Sequence, residues 1–207
     1  MHMEKHMSND QHKTLLAAAD FFNQSARKLL TIDGRLHAET LIASVARMAG
    51  SMMYRSFNFD KAIEPGTAVF SDQANIHGPK LMNIMFATLQ QLGDKVGQDN
   101  LNTEYASAKY SQLTFRESHN RLAPFFLKYC EVTPMALQDA ALGAAVATGI
   151  LVHDCREVLS ADKGSAIAVY GFVEGTKTAA FPLASGANPS PTSTASPEKK
   201  KPWYKVW

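Results

Sequence analysis

Residues 140–152 read Ala-Ala-Leu-Gly-Ala-Ala-Val-Ala-Thr-Gly-Ile-Leu-Val, thirteen positions without a charge, with His153 and Asp154 directly behind them. A bilayer span needs about 20 apolar residues. A run this short therefore has to be hidden by the rest of its own chain, and Gly143, Ala144, Ala147 and Gly149 let neighbouring helices come close to it. The run predicts a buried central helix and, around it, elements with one apolar face each.

Such elements are visible. Leu15, Ala18, Ala19, Phe22, Ala26 and Leu29 recur at spacings of three and four, which predicts a helix over residues 10–30. Residues 36–57 repeat the pattern with Leu41, Ile42, Val45, Met48, Met52 and Met53; Asp33 is the expected cap after the break at Gly34. Ala43, Ala46, Ala49 and Gly50 narrow this second helix, so others should wrap it. Residues 58–73 hold Pro65-Gly66 and no sustained period, the signature of the longest internal loop. A third helix is expected to start at or just before Pro79 and end at Gly93, a fourth to run from Thr103 to about Arg121 with a break or kink at Pro124, and a fifth to open on Thr133-Pro134 and reach about Leu159. In residues 164–175, Ile167, Val169, Tyr170, Phe172 and Val173 are β-branched or aromatic and their run is continuous, so periodicity does not decide between helix and strand. They read as helix, because a lone strand would have no partner and Gly175 suits a helix C-terminus. The fold class is all-α: a single-domain bundle of five or six helices over residues 10–183, followed by a disordered or extended tail.

That tail is the second informative feature. Residues 184–198 are rich in Pro, Ser, Thr, Ala and Gly and offer nothing to bury, the composition of a linker. Residues 199–207 are different: Lys199, Lys200, Lys201 and Lys205 surround Trp203, Tyr204 and Trp207, a basic-aromatic tip suited to partner docking. Of a net charge of +2, the tail's four Lys and one Glu supply +3, which leaves the remainder at −1. A body this neutral has no footprint for duplex nucleic acid. Residues 1–9, which open Met-His-Met-Glu-Lys-His, read as a tag or disordered start and take no part in the fold argument. Cys130 and Cys155, without an apolar leader, suggest free thiols in a reducing, cytoplasmic setting.

Local chemistry is sparse. His37-Ala38-Glu39 has the His-x-Glu of zinc deaminases, but no Pro-Cys-x-x-Cys accompanies it; first-turn Glu39 also complements the helix dipole. Glu117-Ser-His119 and His153-Asp-Cys-Arg-Glu157 complete the His/acid clusters. Only His153 and Glu157 stand at i, i+4, where one helix face offers two ligands to a metal. No Glu-x-x-His pair of the di-iron type occurs. Arg47, on a helix apolar almost all round, needs a partner if buried, and Glu39, Glu117 and Asp139 are the candidates; an anion pocket is the sharper alternative to a structural ion pair. Met48, Met52, Met53, Met82 and Met85 fit core filling or an adaptable binding face. Phosphate-loop, nucleophile-elbow and dinucleotide-turn motifs are absent.

The function these features predict is a non-enzymatic interaction or adaptor protein that needs no cofactor. It would dock through Lys199, Lys200, Lys201, Trp203, Tyr204, Lys205 and Trp207 onto a protein partner or a second copy as a homodimer. One alternative is a metal-dependent helical enzyme whose ligands come from His37, Glu39, His119, His153 and Glu157. Another is a membrane-surface or single-strand nucleic-acid anchor built on the tip's Lys and aromatic residues.

Overall fold

A computed structural model of the chain describes residues 9–31, 34–57, 59 and 62–183. Six α-helices account for most of them: α1 Asn9–Leu30, α2 Ala38–Arg55, α3 Asp72–Gln91, α4 Phe115–Val132, α5 Leu137–Asp154 and α6 Ala161–Thr176. There is no strand among the described residues; one isolated antiparallel bridge joins Ala68 to Thr178. The bundle is all-α, as the periodicities require. The proposed tail, residues 184–207, its tip, most of the opening segment and the proposed cap Asp33 lie outside the described residues.

Two helices form the centre. In α5 every residue from Ala140 to Val152 except Leu142 and Ile150 is buried, and α2 is buried at every position from Thr40 to Tyr54. The other helices cover these two, α6 and α4 lying on α2, and α1 and α3 on α5. From α1 the core receives Leu15, Ala18, Ala19, Phe22, Ala26 and Leu30. Leu30 rather than Leu29 makes the deep contact at the end of the stripe. Phe22 stacks on Phe126 of α4 with ring centroids 4.3 Å apart. Met48, Met52, Met53 and Met85 are fully buried and Met82 packs at the core edge, so their role in the body is filling.

Small residues set how near α6 comes to α2. A Cβ on Gly175 would lie 2.2 Å from the Arg47 carbonyl oxygen, and one on Gly50 would lie 2.5 Å from that of Phe172. At this crossing main chain meets main chain, which only glycine allows.

Several boundaries differ from those expected. Helix α2 is capped by His37, whose Nδ1 accepts from the Thr40 N–H. Helix α3 begins seven residues before Pro79, on Ser71, whose hydroxyl accepts from the Ala74 N–H at 3.2 Å. Pro79 and Pro124 both sit inside helices. Each removes one N–H, opposite the carbonyls of Asn75 and Asn120, and both residues face solvent, where water can take the bond. The helix expected from Thr103 is not formed. Residues 98–110 hold three single 3-10 turns, and α4 starts at Phe115 behind a reciprocal capping box between Thr114 and Glu117. Serines explain the displacement: Ser107 accepts from the Lys109 N–H and Ser111 from the Leu113 N–H, bonds that compete with a helical ladder. Thr133 likewise ends α4 instead of opening α5, its hydroxyl donating to the Tyr129 carbonyl at 2.6 Å.

Within the loop expected over residues 58–73, the described positions are irregular up to Ser71. Pro65-Gly66 makes a turn closed by Thr67 N–H to the Glu64 carbonyl, with Gly66 at φ +85°. Residues 66–69 then pair with residues 177–179 through three backbone hydrogen bonds: Gly66 to Ala179, Ala179 to Thr67, and Val69 to Lys177. The chain after α6 thus returns along the loop as a short strap. The strap positions part of the site described next.

Candidate functional site

Thr40, Ser44, Arg47, Ser51 and Arg55 follow one another along α2 at spacings of four, three, four and four. That spacing keeps them on one helical face. All but Arg55 are buried. An apolar helix with a polar stripe can be buried only if each group finds a partner, and the partners come from residues 111–119 and from α6.

The upper half of the seam is well satisfied. Thr40 Oγ1 accepts from the Gln112 N–H at 2.8 Å and meets His37 Nδ1 at 2.8 Å. Ser44 Oγ lies 2.9 Å from Ser118 Oγ. Arg47, only 1% exposed, donates Nε to Glu174 at 2.6 Å and Nη1 to the Leu113 carbonyl at 2.6 Å, Ser111 Oγ at 3.0 Å and Ser118 Oγ at 3.3 Å. The partner is therefore Glu174 of α6 and none of the three acids expected. Glu117 is occupied in the α4 capping box, where the Thr114 backbone N–H holds its carboxyl below the usual range. Glu39 lies 3.3 Å from His37, and Asp139 is exposed.

The lower half is less complete. Arg55 donates Nη2 to the Phe181 carbonyl of the strap and approaches His119 Nε2 at 3.1 Å. His119 is 1% exposed, and burial together with the adjacent Arg55 charge brings its pKa down to about 4, against a weaker opposing contact with Asn120. It is a neutral ring that accepts through Nε2. Its Nδ1, Arg55 Nε and Ser51 Oγ are buried without a hydrogen-bond partner.

The five candidate metal ligands do not form a set. His37 and Glu39 pair with each other at the start of α2, His119 lies in the seam, and His153 contacts Asp94 at 2.7 Å. Glu157 falls beyond the end of α5, with its side chain 87% exposed near Arg156, so the expected i, i+4 face with His153 does not exist. Among the described residues no group of three or more His, Cys, Asp or Glu could hold a metal ion. Both cysteines are free, and burial pushes both thiols up, away from the reactive thiolate. A cleft of about 10 Å³ between α3 and α6, lined by Ala74, Gly78, Met82 and Val173, has room for about one water molecule.

Sequence reasoning found Arg47 and His119 but missed Ser44, Ser51, Arg55, Ser111, Ser118, Glu174 and Phe181. The stripe of polar residues on α2 was the available signal. Comparison of the chain with protein families, with curated proteins and with solved structures finds no match in any of the three.

Proposed function

We propose that this chain is a non-enzymatic interaction protein, a six-helix body carrying a docking tip made of Lys199, Lys200, Lys201, Trp203, Tyr204, Lys205 and Trp207. One observation carries the reading. The chain has two tryptophans, both within its last five residues, while the core closes with side chains from Leu15 to Ala180. The described core is built from those residues alone, which supports reserving the tip's aromatic side chains for a partner, at about 25 cal/mol for each Å² removed from water before ordering costs. The partner is a protein surface of acidic and apolar character or a second copy of the chain. Free Cys130 and Cys155 fit a reducing compartment such as the cytoplasm. No helix among the described residues is long and apolar enough to cross a membrane.

The test compares the full chain, a chain ending at Leu183, and Trp203→Ala/Trp207→Ala. Sedimentation over a concentration range reports self-association, cross-linking to interacting proteins reports other partners, and titrations with anionic vesicles and oligonucleotides at two salt concentrations report the anchor alternative. The expected result is an unchanged thermal midpoint with association lost in both altered chains. A large fall in midpoint for the chain ending at Leu183 would place the tip in the core and defeat the reading; binding confined to vesicles or oligonucleotides would transfer it to the anchor.

A further inference from the structure

Arg47 and Arg55 stand eight residues apart on the same face of α2, and among the described residues only the first has a carboxylate. Arg55 is withdrawn from water far enough for burial to lower its pKa, yet its partners among the described residues are the neutral Nε2 of His119 and the carbonyl of Phe181. The C-terminal end of α2 favours a cation there, but a helix end supplies only about half an elementary charge. A largely buried guanidinium ordinarily has an anion beside it.

Three polar atoms in this half of the seam are buried without a hydrogen-bond partner. Arg55 Nε is one, His119 Nδ1 is another, and Ser51 Oγ, one turn back on α2, is the third. Ser51 and His119 are 0% and 1% exposed. The Nε and Nη2 edge of a guanidinium is a planar fork that matches two oxygens of a carboxylate or phosphate. On Arg55 half of that fork is taken by a peptide carbonyl and half is unused.

The carbonyl belongs to a removable element. Phe181 lies at the end of the strap, its ring 5.7 Å from Phe115, 5.8 Å from His119 and 5.0 Å from the Arg116 guanidinium. Across from it is Gly66, where a Cβ would come within 3.0 Å of the ring. Beyond Phe181 the described chain, Pro182 and Leu183, is exposed. Up to the buried Ala179 three backbone bonds hold the strap to the loop, whereas from Phe181 on a half-buried ring and the Arg55 contact hold it, so this end can open locally without unfolding the bundle.

We infer that Arg55, with His119 against its Nη2, is a binding site for an oxyanion, a carboxylate or phosphate group, and that Phe181 is the chain's own plug in that site. An oxyanion that displaces the Phe181 carbonyl gains both arms of the fork.

Nuclear magnetic resonance of the full chain tests this with inorganic phosphate and acetate, each titrated at constant ionic strength against chloride. The Arg55 Nε–H and His119 ring signals should shift saturably with one or both anions and be unmoved by chloride. Response to phosphate alone assigns a phosphoryl ligand, and response to both assigns a carboxylate-type site. Phe181→Ala, or Phe181→Leu if the first is unstable, should bind about tenfold more tightly because the competing closed state is depopulated. Arg55→Gln should abolish the His119 shift. Absence of a saturable response in both the natural chain and the Phe181 variants would overturn the inference.

Discussion

At the scale of single residues the seam separates two ways of burying a charge. Arg47 and Glu174 are both desolvated, and their mutual attraction plus the bonds to Ser111, Leu113 and Ser118 offsets that cost. Removing one partner strands the other. Glu174→Gln is expected to lower unfolding free energy by about 3–5 kcal/mol in urea titrations, whereas Arg47→Met combined with Glu174→Leu should cost clearly less. Equal losses in single and double variants would mean that the pair contributes only through packing. His119 gives a signature in pH. Its folded pKa is about 4 against 6.5 for the free side chain, so below 6.5 the unfolded chain takes up a proton that the folded chain refuses. Stability from this group is intact above pH 6.5 and is lost as pH falls toward 4, at about 1.4 kcal/mol per pH unit. The stability difference between the natural chain and His119→Gln should shrink across that window, and a parallel pair of stability curves would refute it.

At the scale of elements the decisive feature is the crossing of α2 and α6. Alanine normally stabilises a helix relative to glycine by roughly 0.5–1 kcal/mol. At Gly175 the added Cβ has no room, since the atoms in its way are main chain. Gly175→Ala should therefore destabilise by about 3 kcal/mol, as overpacking does, while Gly97→Ala, which meets nothing within 4 Å, should be near neutral. Thermal unfolding of the two variants checks this. The same crossing shows what could be read in advance. The uncharged run of α5 and the stripes of α1 and α2 were legible because burial of a helix writes itself locally, at three- and four-residue spacing. The start of α4 was misplaced because Thr103-Glu104 resembles a cap, although the reciprocal pair Thr114 and Glu117 was present. The pairing of Arg47 with Glu174 was not legible at all. It joins residues 127 apart, and no local spacing encodes which helix will lie across α2.

At the scale of the whole molecule the described chain divides into a closed bundle and a strap at its margin. Residues 177–183 add the buried Ala179, the Phe181 ring, the three bonds to the loop and the Arg55 contact. A chain ending at Thr176 should keep its helical circular dichroism but lose about 1–3 kcal/mol relative to one ending at Leu183, because a buried carbonyl partner and an aromatic contact go together. Equal stability of the two would show that the strap is only resting on the surface.

The crossing of α2 and α6 also has a consequence in time. Helix α2 emerges early in synthesis and α6 much later, with α3, α4 and α5 between them. Until α6 arrives, Arg47 has no counter-ion and the Ala- and Gly-lined groove of α2 lies open, so the most intimate contact of the finished bundle is among the last that translation permits. A nascent chain stopped before Ala161 should be cleaved rapidly by protease along α2, and a synthetic peptide covering residues 161–183 supplied in trans should restore resistance. The order in which the chain is made thus leaves its central helix dependent on an element that follows it by three intervening helices.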